Sequence, residues 1–179
     1  MGPAAAETSS RLPGPSMLLS ARMAARVSTG LVFATVLLLG LSAGAMLTEA
    51  VVLVSYWQSL PGDEFLTWFG RNEPRLVAFF GPLQTASAVL ALAAFVSQYR
   101  RRKSGRGALA VAALLSLGAL AMYGAYFRDV NAGFVARTIP AGDVAAELVR
   151  WGQWQWLRTA VGVAAFGAAL VAATRPTAG

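Results

Sequence analysis

The sequence predicts an all-α fold: a polytopic membrane four-helix bundle with short interfacial helices at its outer end. Three observations support this prediction. Only 13% of the residues are charged, whereas soluble domains carry about 25%. The mean hydropathy is +0.56, and the apolar residues gather in four blocks long enough to cross a hydrocarbon core of about 30 Å as helices. The basic residues are concentrated between and beside those blocks.

The four blocks define the predicted spans and the limits of the domain. We expect a four-helix transmembrane domain over residues 23–175. Its spans are predicted at about residues 27–56, 76–99, 108–127 and 154–173. Residues 1–22 are rich in Ala, Ser, Pro and Gly and show no helical period, so they are predicted to be a disordered cytoplasmic tail.

The first span also has features of a cleavable signal peptide. Arg22 and Arg26 precede an apolar run, and Ala43-Gly44-Ala45 is typical of a cleavage site. The apolar run continues through Val54, well past that site, which favours a transmembrane helix.

The distribution of positive charge predicts the orientation. The segment between spans two and three carries four consecutive basic residues, Arg100 to Lys103. Two more, Arg22 and Arg26, precede span one, and Arg175 follows span four. The positive-inside rule places all of these in the cytoplasm. We therefore expect a multi-pass cell-membrane protein with both termini cytoplasmic. The net charge of +7 is interpreted as this topology signal, so the expected partners are membrane lipids and not nucleic acid.

Both outer loops contain features of helix starts. Ser59 is followed by Pro61 and two acids, in the order of a capping serine, an early proline and negative charge at the positive end of the dipole. Pro140 opens a similar stretch that runs to Trp151. Short interfacial helices with aromatic anchors fit both loops, and ordinary structured loops are the alternative.

The composition restricts the available chemistry. The chain contains no cysteine and no histidine, which removes thiolate sites, imidazole bases and the commonest metal ligands. We expect no metal site and no cofactor. Carboxylate, hydroxyl, phenol, guanidinium and amide groups remain for any reaction.

Glu49 and Arg158 are predicted to form an ion pair inside the bundle. An ionisable residue within a span costs about 2.5–3.5 kcal/mol on insertion scales, so it normally faces a partner or a cavity. Both residues lie at similar depth from the outer end of their spans. Either the pair is a structural staple beneath an aromatic belt, or it lies in a ligand or reaction pocket.

The helical faces around this pair favour a pocket in the outer half of the bundle. Polar and aromatic residues from several spans recur at three- and four-residue steps, whereas the inner halves are almost entirely Ala, Leu, Val and Gly. The residues selected as candidates for binding a planar ligand are Tyr56, Tyr123, Asn131, Trp151, Trp154 and Gln155, and span two adds Arg75 and Gln84 to the polar set.

The fourth span carries the residues of a family resemblance. The segment Trp151-Gly152-Gln153-Trp154-Gln155-Trp156-Leu157-Arg158-Thr159 resembles the Trp-x-x-Trp-(Asn or Gln)-x-x-Arg-Thr signature of a family of small four-helix membrane proteins. That family was catalogued as a domain of unknown function and includes anthrone oxygenases. Asn131 is similar to the asparagine of the family's Asn-x-x-Leu segment. Gln155 stands where Asn is usual, and Trp156 where His is frequent. The resemblance extends over residues 27–173.

The resemblance implies cofactor-independent oxygenation of a planar, apolar aromatic small molecule by a monooxygenase. In that chemistry a base removes a proton to give a stabilised carbanion, which reacts with dioxygen. Glu49 is then the candidate base and Arg158 the stabiliser of the developing oxyanion. The alternative function is a non-catalytic membrane protein, a lipid-binding or partner-stabilising subunit in which Glu49–Arg158 is a staple. The sequence does not determine the oligomeric state.

Overall fold

The computed structural model describes residues 14–175. Of the described residues 89% are helical, and none of them lies in a strand. The helices are α1 (Pro15–Thr48), α2 (Val54–Gln58), α3 (Gly62–Arg100), α4 (Arg106–Met122), α5 (Arg128–Val135) and α6 (Val144–Thr174). Two π-helical turns, Glu49–Leu53 and Tyr123–Phe127, join α1 to α2 and α4 to α5. This all-α class agrees with the sequence prediction.

Four helices in this range are long and apolar enough to cross a membrane, judged by length and composition. They are Arg22–Gln58, Gly62–Arg100, Arg106–Val135 and Val144–Thr174. They form a ring in which α1 packs against α3 and α6, and α4 also packs against α3 and α6. Short connections between consecutive helices produce this antiparallel arrangement. We call the end with the α2–α3 and α5–α6 connections the outer end, and the end with the α3–α4 connection the inner end.

The predicted short interfacial helices are wrong, because both outer segments are continuous with long helices. α3 begins at Gly62 and extends unbroken through Pro74 and Pro82, and α6 begins at Val144. At 1.5 Å per residue the 39 residues of α3 span about 58 Å, which exceeds the roughly 30 Å hydrocarbon core. The amphipathic residues therefore extend the long helices. They do not lie as separate helices.

The start of α3 also differs in its local contacts. Ser59 does not cap α3; its hydroxyl donates to the carbonyl of Tyr56 (2.7 Å), and Pro61 occupies the N-cap position. Asp63 and Glu64 lie in the first turn as predicted, where negative charge is favourable. Gly62 is required here because a β-carbon would collide with the backbone carbonyl of Ala141 in the α5–α6 connection.

Helix α1 begins earlier than the predicted first span. Pro15 starts the helix, at a position where its missing N–H costs nothing. The residues that follow are mostly Ala, Leu, Met and Arg, which favour helix. The predicted disordered tail is therefore wrong for residues 15–22, and its residues 1–13 lie outside the described range.

The bundle has two chemically different cores. Towards the inner end the core is rich in alanine: its buried members are Val32, Leu39, Ala91, Ala94, Leu109, Ala112, Ala113, Ala165 and Ala169. Small residues allow the helix backbones to approach closely. Towards the outer end the core is aromatic: its members include Trp57, Phe65, Phe69, Phe127, Phe134 and Trp151. The predicted contrast between the two halves of the bundle is confirmed.

Candidate functional site

A buried ion pair lies where the aromatic core begins. The guanidinium of Arg158 donates from Nη2 to Oε2 of Glu49 at 2.9 Å, and the two side chains are 5% and 6% exposed. The guanidinium carbon also lies 4.2 Å from the centre of the Phe127 ring, a cation–π contact. The predicted Glu49–Arg158 pair is confirmed.

Gln155 and Thr159 complete the connection between α1 and α6. The Gln155 amide donates to Oε2 of Glu49 (2.8 Å) and to the carbonyl of Met46 (3.1 Å), and the Thr159 hydroxyl donates to the same carbonyl (3.3 Å). The Met46 carbonyl also accepts the backbone N–H of Glu49, so it is shared between the α1 backbone and the two α6 side chains. Gln155 therefore acts behind the ion pair, as part of its support.

The first π turn corrects the predicted position of Tyr56. Its extra residue rotates the following helix by about 100°, so Val54 and Trp57 face the core, whereas Tyr56 is 44% exposed. Its ring contacts Trp68 edge-on at 5.9 Å. Tyr56 therefore does not face the ion pair as predicted, because the prediction assumed regular α-helical spacing through Glu49.

A cavity of about 180 Å³ lies beside the ion pair, between α3 and the α4–α5 segment. Its lining includes five of the residues predicted from the sequence: Glu49, Tyr123, Asn131, Trp151 and Arg158. The Trp151 indole N–H donates to Oδ1 of Asn131 (2.9 Å), which fixes both side chains. A cavity of about 150 Å³ holds benzene, so this one accommodates a substituted aromatic ring. A larger ring system would extend through its open side.

Trp154 does not line this cavity. Its ring stacks on Tyr126 with centroids 5.1 Å apart and 16° between the planes, and the Tyr126 hydroxyl donates to Glu147 (2.6 Å). Trp154 and Tyr126 thus form a separate contact between α6 and the second π turn. Trp154 therefore lies outside the lining of this cavity, and its predicted contact with a ligand stays a prediction.

Helix α3 supplies about half of the lining, and the sequence analysis missed almost all of it. The lining residues from α3 are Phe69, Glu73, Leu76, Val77, Phe80, Gly81, Gln84 and Thr85. They follow a helical stripe with steps of three and four. Phe69 and Glu73 were missed because the residues before 76 were predicted to lie outside the span, and most of the others are apolar or small residues that do not stand out within an apolar block. Gln84 alone had been noted, as a polar residue inside an apolar block. Arg75, noted with it, is exposed and does not line the cavity.

Two buried donors at the cavity have no partner. Arg158 Nε and Gln84 Nε2 make no hydrogen bond among the described residues, although Arg158 is 4% and Gln84 9% exposed. Unpaired buried donors are costly, and both residues line the cavity. A ligand that presents an acceptor oxygen could pair with either donor once the side chain turns towards the cavity.

The Glu49 carboxylate is also only partly engaged. The bonds from Arg158 and Gln155 both go to Oε2, and no bond to Oε1 is found among the described residues. Within residues 14–175 no three acidic side chains come together in a group that could hold a metal ion. The site therefore combines one available carboxylate oxygen with adjacent hydrogen-bond donors.

Comparison with known proteins adds no further assignment. No family model matches the chain, no curated protein matches its sequence, and no solved structure matches its fold.

Proposed function

We propose that the chain is a four-span cell-membrane protein that binds a planar, largely apolar small molecule in the α3–α4 cavity and oxygenates it without a cofactor, as anthrone oxygenases do. The observation that carries this proposal is the cavity itself. Its lining residues include Glu49, Arg158 and Gln84, and the last two each carry a buried donor that has no partner among the described residues. A staple needs a tight pair but no cavity, whereas a reaction site needs both.

The proposed orientation in the membrane follows from length and charge. The four long apolar helices would cross the bilayer with the basic α3–α4 connection and both termini in the cytoplasm. The outer end, with its aromatic core and the cavity, would then lie towards the opposite face.

In the proposed reaction Glu49 takes a proton from an acidic methylene carbon of the substrate. The resulting carbanion is delocalised onto a ring oxygen, which Arg158 and Gln84 stabilise by hydrogen bonds. The electron pair of the carbanion reduces dioxygen as a carbon–oxygen bond forms, and protonation gives a hydroperoxide. Loss of water from the hydroperoxide leaves a ketone. A methylene group and dioxygen thus become a carbonyl and water, so no external reductant is needed.

The experiment is turnover of anthrone by the purified protein in lipid vesicles under isotopically labelled dioxygen, with anthraquinone detected by mass spectrometry. We expect labelled product to form faster than in protein-free vesicles. Glu49→Gln should reduce the rate by about 10²-fold or more, since general bases contribute typically 10²–10⁴-fold. The matched control is Glu64→Gln, an exposed carboxylate on α3 away from the cavity, which should leave the rate unchanged.

A non-catalytic role is the second candidate, and the hydrogen bonds between α1 and α6 favour it. Glu49, Arg158, Gln155 and the Met46 carbonyl join these helices in one network, which is what a staple would do. Wild-type protein that does not accelerate anthrone oxidation, or a correctly inserted Glu49→Gln variant with full turnover, would reject the oxygenase and favour a lipid-binding or partner-stabilising subunit.

A further inference from the structure

The cavity has an open side, and that side lies on the flank of the bundle. Val77, Gly81 and Thr85 line the cavity and are also exposed. They are spaced four residues apart on α3, so they form one stripe along the helix. Leu120 and Tyr123 line the cavity from the facing segment. We call the gap between that stripe and these two residues the lateral slit.

The outer end of the cavity is closed by aromatic side chains. Phe69, Phe127 and Trp151 line the cavity and are at most 2% exposed. Phe134 packs edge-on against Phe69 at 5.5 Å, and Trp57 against Trp151 at 5.2 Å. A ligand cannot pass through this cluster without separating several ring contacts.

The slit lies at the level of the apolar part of α3. From Leu76 to Val96 the helix carries no charged residue, and the stripe falls in the first half of that range. Glu73, one turn before Val77, lies on the outward side of the slit and is half-buried, as is Asn131 on α5. A helix flank of this composition contacts acyl chains in a bilayer.

We infer that the lateral slit is an entrance through which a neutral, membrane-dissolved planar molecule reaches Glu49 and Arg158 directly from the bilayer. The identity of that molecule as a substrate rests on the proposed function; the entrance does not. Arg158 and Gln84 line the cavity and each carry a buried donor without a partner among the described residues, which favours a molecule with a carbonyl or phenol oxygen at its leading edge. The apolar, planar remainder of that molecule stays in contact with the slit and the lipid.

Gly81 keeps the slit open. A β-carbon at this position would meet no heavy atom within 4 Å, so a large side chain can be added without collision at its base. Gly81→Trp should therefore fill the entrance while the bundle still folds. Gly70 is the matched control: it lies on the same helix, eleven residues earlier and so on nearly the same face, is equally free of neighbours and does not line the cavity.

The absence of cysteine from the chain allows a direct test with one introduced thiol. Leu120→Cys places a thiol inside the cavity, and Ala91→Cys places one in the closed inner core, where Ala91 is 0% exposed. The full-length protein in phosphatidylcholine vesicles is treated with methyl methanethiosulfonate, which is neutral, or with its charged sulfonatoethyl analogue, which the apolar bilayer excludes. Intact-protein mass gives the labelled fraction over time.

We expect Leu120→Cys to react at least about tenfold faster with the neutral reagent than with the charged one, relative to their rates on an unfolded control. Adding Gly81→Trp should slow the neutral reaction by at least the same factor, and adding Gly70→Trp should not. Ala91→Cys should react with neither reagent until the protein is unfolded.

Three results would overturn the inference. Equal normalised rates for the two reagents would indicate an aqueous entrance near Glu73. The other two are a Leu120→Cys thiol that reacts only after unfolding, and a Gly81→Trp variant that leaves the rate of the neutral reagent unchanged. No substrate is used, so a failure of anthrone oxidation leaves this test unaffected. A closed slit likewise leaves the oxidation test unaffected.

Discussion

The buried ion pair is expected to couple Glu49 and Arg158 strongly in the free energy of unfolding. At 2.9 Å two unit charges attract by about 6 kcal/mol if the effective dielectric constant is roughly 20. Removing one partner of a buried pair typically costs about 3–5 kcal/mol, because the other charge is left uncompensated. Arg158→Met or Glu49→Gln alone should therefore lower the free energy of unfolding.

The expected size of each loss lies at the lower end of that range. In Glu49→Gln the guanidinium keeps its contact with Phe127, and in Arg158→Met the carboxylate keeps the hydrogen bond from Gln155. We expect about 3 kcal/mol for each single variant. The double variant leaves no buried charge and should lose only about 2 kcal/mol, which corresponds to a coupling energy of about 4 kcal/mol.

The assay is reversible unfolding in mixed micelles, followed by tryptophan fluorescence, on all four members of the double-mutant cycle. A matched control is the Arg128–Asp129 pair, which has the same 2.9 Å separation but side chains 68% and 73% exposed. Exposed pairs typically contribute about 0–1 kcal/mol, so the cycle with Arg128→Met and Asp129→Asn should give little coupling.

A coupling energy below about 1 kcal/mol for Glu49 and Arg158, equal to that of the surface pair, would refute this reasoning. It would mean that water reaches the pair through the cavity and screens it. The hypothesis that the pair is a structural staple would then also be rejected, because such a pair would contribute little to the free energy of unfolding.

Two further predictions concern the connections at the two ends of the bundle. Gly62→Ala should destabilise the fold by about 1–3 kcal/mol because its β-carbon would meet the Ala141 carbonyl; Gly70→Ala should instead stabilise it by up to about 1 kcal/mol, and equal unfolding curves would contradict this. The second prediction concerns the orientation in the membrane. A cysteine that replaces Arg101 in the basic α3–α4 connection should be protected from a membrane-impermeant maleimide in intact cells. One replacing Gly142, which is exposed and has open space around it, should react; the reverse pattern would reject the proposed topology.

Much of the fold could be predicted because apolar length and charge position are properties of long stretches. The four long helices and the contrast between the alanine-rich and aromatic halves follow from composition summed over about 20 residues. Errors occurred at the boundaries, where α3 and α6 continue beyond the predicted spans. Nothing in the sequence marks where a helix leaves the hydrocarbon region, because amphipathic residues continue a helix as readily as they start one.

The candidate site was predicted less evenly. The sequence by itself determined the Glu49–Arg158 pair, because two isolated charges at similar depth in apolar helices have few alternatives to each other. Only the tertiary structure decided which neighbours face the cavity. A single extra residue in the π turn at Glu49 rotates Tyr56 outward and Trp57 inward. The cavity exists because α3 and the second π turn leave space between them, and that spacing is set by packing between helices, which no local pattern records.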